Sequence, residues 1–288
     1  MVIDIILFSL AIMWLLFASI QDIIKREVAD WLSFSLLATA LATRALYSIV
    51  TLQPIYFLYG IFTTAVFFLV ALICYNAKFF GGGDAKLFTT LGAIFATTPT
   101  FAKQGPTYLF LSPFPLTFLS NVVLLGSAYG IFLSIVLAFR SRKSFSKEAA
   151  KVWKQFKLFF ALFFVFVAAL YISFLLFKEK IMLCFAIIFA IFPFLIILVS
   201  AVEKACLVKL LPTSKLAEGD WLAQKISVKG KQIGTKGLTR EEIAILKKLK
   251  KKVKIKQGIP FVPVLFASAL TSLYGNLLLL IIKYLMKI

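Results

Sequence analysis

Long apolar runs separated by short polar breaks make up most of this chain. They fall at roughly 3–21, 31–50, 55–76, 84–98, 118–139, 158–177, 181–202 and 262–285. About 20 apolar residues make a helix long enough to cross a hydrocarbon core. The fourth run falls short of that and suits a partial or tilted helix. The pattern predicts an all-α polytopic membrane protein with about eight transmembrane helices. The first run carries Asp4 where a cleavable signal peptide would carry basic residues, so it reads as a span.

Two polar stretches are long enough to have structure of their own. Residues 140–157, RSRKSFSKEAAKVWKQFK, predict a basic connector lying along an anionic inner leaflet, which makes membrane lipids a partner. Residues 203–258 predict a small mixed α/β cytoplasmic domain before the last helix. Within it, QKISVKGKQIG alternates like a hairpin. Thr239 and Glu242 have capping-box spacing, and an amphipathic helix and a strand-like VKIK follow. The expected organisation is a transmembrane core at 1–139, the connector at 140–157, a helix pair at 158–202, the small domain at 203–258 and a last helix at 259–288.

Charge orients the spans. With the N-terminus outside, the inner segments are 22–30, 76–86, 140–157 and 203–258. They hold 2, 2, 7 and 15 basic residues, which is 26 of the 32 Lys and Arg. The excess of basic residues in cytoplasmic loops sets this topology. It also accounts for the net charge of +20 without nucleic acid. Arg44 falls inside the second span near its outer end, at the level of Asp4, and reads as snorkelling or pairing with Asp4.

The chain has no histidine, which excludes Ser-His-Asp and Cys-His catalysis, the HExxH site and His-ligated metals. Cys74, Cys184 and Cys206 are far apart and form no CxxC pair, so neither a zinc cluster nor a disulfide framework is indicated. No metal and no cofactor are expected. Acid–base chemistry is left to carboxylates or shifted lysines.

Of the 12 acidic residues, Glu148, Glu203, Glu218, Asp220, Glu241 and Glu242 stand in basic cytoplasmic stretches, where charge balance explains them. Glu179 sits between two lysines in an outer turn, and Asp4 lies at the level of Arg44. Asp22, Glu27 and Asp30, in QDIIKREVADW, and Asp84, in GGGDAKL, are the exceptions. Asp22 ends the first span and Asp84 opens the fourth, so the topology puts both at the inner boundary. Two carboxylates at close range share one proton and titrate in two separated steps. One can then take a proton from water while the other donates to a peptide carbonyl. Gly81, Gly82 and Gly83 would allow a sharp turn and the close approach of another backbone, such as a substrate strand. The alternative is structural: the glycines make an interhelical turn and Asp84 is its N-cap.

Taken together, these segments carry a family resemblance. Gly81-Gly82-Gly83-Asp84 resembles the GxGD motif of membrane aspartyl proteases. Asp22 followed by Val28-Ala29-Asp30, and Lys86 in GGGDAK, resemble the type IV prepilin peptidase pattern. GIPFVPVLF and LAEGDWLA look like the archaeal preflagellin peptidase branch. The resemblance implies removal of short basic leader peptides from preflagellin or prepilin-like precursors, at the cytoplasmic face of the cell membrane. It implies Asp22 and Asp84 as the catalytic pair, with Asp30, Gly81, Gly82, Gly83 and Lys86 in support. Glu27 or Asp30 would read leader charge. Ala29 stands where the family usually has proline. The bacterial cytoplasmic tetracysteine cluster is absent, which argues against that branch and its N-methyltransferase activity.

Three other readings compete. A presenilin-like or signal-peptide-peptidase-like enzyme would carry a Tyr-Asp pair, whereas Gln21 precedes Asp22. A cation-coupled transporter would place ionisable groups near mid-membrane. A scaffold for a surface filament would need neither aspartate. Prolines 99, 106, 113 and 115 give the segment 99–117 room to move under the peptidase reading.

Overall fold

The computed structural model describes residues 2–77, 79–102, 113–178, 180–216, 219–224, 226–228, 231–233, 237–248, 252–256 and 258–286. Most of the expected mobile segment, including Pro106, lies outside the described residues.

In chain order the helices are α1 (Val2–Lys25), α2 (Asp30–Thr51), α3 (Ile55–Asn76), α4 (Gly82–Ile94), α5 (Phe114–Arg140), α6 (Arg142–Gln155), α7 (Lys157–Phe177), α8 (Lys180–Val202), α9 (Arg240–Lys248), α10 (Val262–Ser272) and α11 (Leu277–Met286). The strands are β1 (Val208–Pro212), β2 (Trp221–Leu222), β3 (Ile226–Val228), β4 (Lys231–Ile233) and β5 (Lys252–Lys256). Among the described residues six helices are long and apolar enough to cross a membrane, and a bent pair, α10 with α11, could make a seventh. Their outward sides carry exposed large apolar side chains, such as Met13, Phe17, Ile49, Phe62 and Ile73, as helices facing lipid require.

Two of the eight expected spans differ. The run at 84–98 forms only the 13-residue α4, about 20 Å long, because the helix stops at Ile94. The run at 262–285 is broken at 273–276 and bends by 63°. Gly275 takes φ +121° there, a conformation that breaks the helix and that glycine adopts freely.

The chain divides into two compact units, Met1–Tyr129 with Gly258–Ile288, and Gly130–Gln257. In the first, α4 packs on α3 and α2, and α10 packs on α1. Gly92 lets α4 approach α3 closely, since a Cβ there would lie 2.7 Å from the Thr63 carbonyl oxygen. Phe67 stacks on Phe88 at 5.0 Å and on Phe118 at 6.0 Å, joining α3, α4 and α5 through aromatic faces.

In the second unit, β1, β5 and β2 form an antiparallel sheet in the order β1-β5-β2, and β3 pairs antiparallel with β4 as the alternation predicts. Strand β5 buries Val253 and Ile255 between outward lysines. At the start of α9, the Thr239 N–H donates to Glu242 Oε2 at 3.0 Å and the Glu242 N–H donates to Thr239 Oγ1 at 3.3 Å. This is the capping box that the spacing predicts.

Candidate active site

Asp22 sits one turn before the end of α1 and is 4% exposed. A carboxylate buried in that way needs hydrogen-bond donors. It finds them at the start of α10: the Val262 N–H donates to Asp22 Oδ2 at 3.0 Å, and the Phe261 amide also acts on it. Val262 is the first residue of α10, so its N–H has no partner within the helix. The chain leaves α1 through Arg26, at φ +58°, whose Nη1 donates to the Gly258 carbonyl at 3.0 Å. The α1–α2 loop is closed by the Ala29 N–H, which donates to Gln21 Oε1 at 3.1 Å.

Asp84 stands in the first turn of α4, outside the six candidate spans. Its Oδ2 accepts the Gly81 N–H at 3.1 Å. The N-cap is therefore Gly81, with Asp84 reaching back from the third helical position, and not Asp84 itself as the structural alternative holds. Asp84 keeps an accessible edge, yet its surroundings are dense. Burial and then the nearby Asp22 charge push its carboxyl up to about 7, against the opposing Gly81 N–H. Helices α1 and α4 are in contact, and the Asp22 charge acts on Asp84.

The three glycines have three different surroundings. A Cβ at Gly81 would lie 3.2 Å from Asp84 Oδ2. One at Gly83 would lie 3.1 Å from the backbone nitrogen of Val28 and 3.2 Å from its oxygen, so Gly83 admits the loop before α2. One at Gly82 would meet nothing within 4 Å. None of the three lies at positive φ, and Gly81 is extended at φ −71°, ψ 164°. The chain thus passes from α3 to α4 within a few residues without a left-handed glycine, and Gly82 and Gly83 belong to the first turn of α4. The backbone that approaches closely is the protein's own Val28 segment.

The other expected residues fall around this pair. Asp30, in the first turn of α2, accepts Lys86 Nζ at 2.6 Å, and that ammonium lies 6.0 Å from the Phe34 ring centroid. Both partners of the pair are exposed, so it adds little stability. Glu27 is exposed and has no ion-pair partner among the described residues. No group of three or more potential metal-ligating residues occurs among the described residues.

Three features have no simple sequence signal. The Val262 and Phe261 amides act through backbone: the apolar run from 262 and Pro263 at the second position mark a helix start, but no residue type marks the donors themselves. Tyr129, on α5, lies within electrostatic reach of Asp22 and Arg26. Arg44 does not snorkel. It is fully buried and donates to the carbonyls of Ala93, Ile94 and Tyr56 and to Thr97 Oγ1, and the Asp4 charge acts on it as well.

Comparison with known proteins places this geometry in a context. Residues 9–139 match the model of the type IV leader peptidase family. A prepilin peptidase, EppA, from Methanothermobacter thermautotrophicus is 24% identical over 185 residues, covering 61% of this chain and 47% of that protein. The matched region thus spans about half the length of that relative.

Proposed function

From the premise that residues 9–139 carry the type IV leader peptidase family pattern, we propose that this protein is a membrane aspartyl endopeptidase. Its substrates are prepilin-like or preflagellin-like precursors, from which it removes a short basic leader at the cytoplasmic membrane face. One observation carries the reading: Asp22 and Asp84 come from separate helices inside the matched segment and interact at adjoining helix ends.

The chemistry follows from their different surroundings. Asp22, facing backbone N–H donors, is the ionised partner. Asp84, its carboxyl raised to about 7, keeps its proton below that pH. A water between them gives a proton to Asp22 as its oxygen attacks the scissile carbonyl carbon, and Asp84 protonates the carbonyl oxygen. The resulting gem-diol collapses as Asp22 returns the proton to the leaving nitrogen and the C–N bond breaks. A diol hydroxyl then reprotonates Asp84. Neither histidine nor metal takes part.

The membrane edge suits this substrate class. Asp22 is in the last turns of α1 and Asp84 in the first turn of α4, so a peptide bond next to an apolar helix reaches them without unwinding the middle of that helix. The same placement weighs against cleavage deep within a span and against a mid-membrane ion path. The basic residue distribution puts this edge inside and the N-terminus outside. Glu27 is the group best placed to meet a basic leader, because Lys86 already neutralises Asp30.

A processing assay in membranes tests this, with a model preflagellin and a model prepilin and leader loss read by gel shift. Wild type cuts at least one precursor, Asp22→Asn and Asp84→Asn each cut none, and Asp30→Asn retains activity. Cleavage that survives either aspartate substitution overturns the mechanism. Glu27→Lys slows processing of a basic leader more than that of a neutral one; equal rates remove its assignment.

A further inference from the structure

Two short helices of the first unit, α4 and α10, have one end at the proposed dyad. Helix α4 carries Asp84 in its first turn, and α10 presents the Val262 N–H to Asp22. Helix α4 stops at Ile94, where the Ala93 and Ile94 carbonyls lie past the last helical N–H, and α10 stops at Ser272, where the Leu273, Tyr274 and Gly275 N–H groups take its last carbonyls. At each of those far ends a long neighbouring helix supplies one buried polar side chain.

For α4 that side chain is Arg44 of α2. Its guanidinium takes the last carbonyls, Ala93 and Ile94, together with Thr97 Oγ1 at 3.3 Å and the Tyr56 carbonyl at 3.3 Å. The positive charge also suits a helix C-terminus. Gly60 on α3 makes the room, since a Cβ there would lie 2.6 Å from Arg44 Cδ. For α10 the side chain is Asn121 of α5, also fully buried. Its Nδ2 donates to Ser272 Oγ at 3.1 Å and to the Gly275 carbonyl at 3.0 Å, and its Oδ1 accepts the Leu277 N–H at 2.9 Å. Asn121 thus satisfies both sides of the break between α10 and α11.

We propose that Arg44 and Asn121 are positioning residues of the dyad, each fixing from its far end a short helix that holds one carboxylate in place. Neither touches the reacting atoms. Arg44 sets the axial position of α4 and so of Asp84. Asn121 sets that of α10 and so of the N–H that holds Asp22. The effect on catalysis rests on the proposed peptidase function; the effect on helix position does not.

The test uses the full chain in lipid nanodiscs, in a background lacking Cys74, Cys184 and Cys206. Nitroxide labels at Ile24→Cys with Gly82→Cys report the α1–α4 spacing, and Ile24→Cys with Gly258→Cys reports the α1–α10 spacing. Ile24→Cys with Ile73→Cys is the control for α1–α3. Arg44→Met and the milder Arg44→Lys broaden the first distance distribution and leave the control unchanged. Gly60→Ala, which displaces Arg44 without altering it, does the same. Asn121→Leu broadens the second distribution and leaves the first unchanged.

On a model precursor, kcat falls on the order of 100-fold in Arg44→Met while KM stays within about threefold. If Arg44→Met does not fold, Arg44→Lys and Gly60→Ala decide. Folded variants with wild-type distributions and wild-type kcat overturn the proposal, as does a rise in KM with kcat unchanged. If wild type cuts no precursor, the peptidase reading fails, and the distance measurements still decide whether these two side chains set the helix positions.

Discussion

Helices α4 and α9 begin with the same local device and use it differently. In each, an acidic side chain at the third helical position accepts the N-cap backbone N–H: Asp84 from Gly81 at 3.1 Å, and Glu242 from Thr239 at 3.0 Å. In α9 the arrangement is reciprocal, since Thr239 Oγ1 accepts in return, and it does no more than start a helix. In α4 the N-cap is a glycine and cannot reciprocate, while burial and Asp22 act on the acid. Capping does not exclude the proposed catalytic role of Asp84: the Gly81 N–H holds one carboxyl oxygen, while burial and the Asp22 charge raise the carboxyl's pKa.

The largest difference should appear when each acid is replaced by its amide, which still accepts the N-cap N–H. Asp84→Asn abolishes precursor cleavage and leaves the protein folded, whereas Glu242→Gln leaves cleavage at wild-type rates. Purification yield, circular dichroism and the gel-shift assay separate the two.

The pH dependence should be nearly as large. A carboxyl raised to about 7 is protonated below that pH and ionised above it. The singly protonated pair is lost as pH rises, so kcat falls tenfold per unit on the alkaline side of about 7. A rate that stays flat to pH 9 removes Asp84 as the acid.

The glycines offer a smaller contrast. Gly83→Ala forces a Cβ against the Val28 backbone and should cost about 1–3 kcal/mol. Gly82→Ala enters open space and should change stability by less than about 0.5 kcal/mol. In α9, Thr239→Ala should cost about 1 kcal/mol of local helix stability with no effect on cleavage. Chemical denaturation and hydrogen exchange read these differences.

Much of this architecture was legible from local pattern. Apolar length marked the helices that can span, alternation marked β3 and β4, and spacing marked the Thr239–Glu242 box. Charge and depth led to the expectation that Asp22 and Asp84 share one level, and in the structure the Asp22 charge acts on Asp84. What was hidden depends on partners distant in sequence. The end of α4 at Ile94 is written in Arg44, about fifty residues earlier, because apolar residues continue past the helix end. The break at 273–276 leaves only Gly275 and Asn276 inside a hydrophobic window, and its stabilising partner, Asn121, lies about 150 residues away. The donors to Asp22 are main-chain groups, which no residue type marks.

The central claim is that Asp22 and Asp84 act as one unit, and a double-mutant cycle on kcat tests it most directly. Asp22→Asn, Asp84→Asn and the double variant would be compared with wild type on the same precursor by single-turnover kinetics. Residues acting as a unit are non-additive, so the double variant should be no slower than either single one. Measurable activity in each single variant, with losses that multiply in the double, would contradict the account.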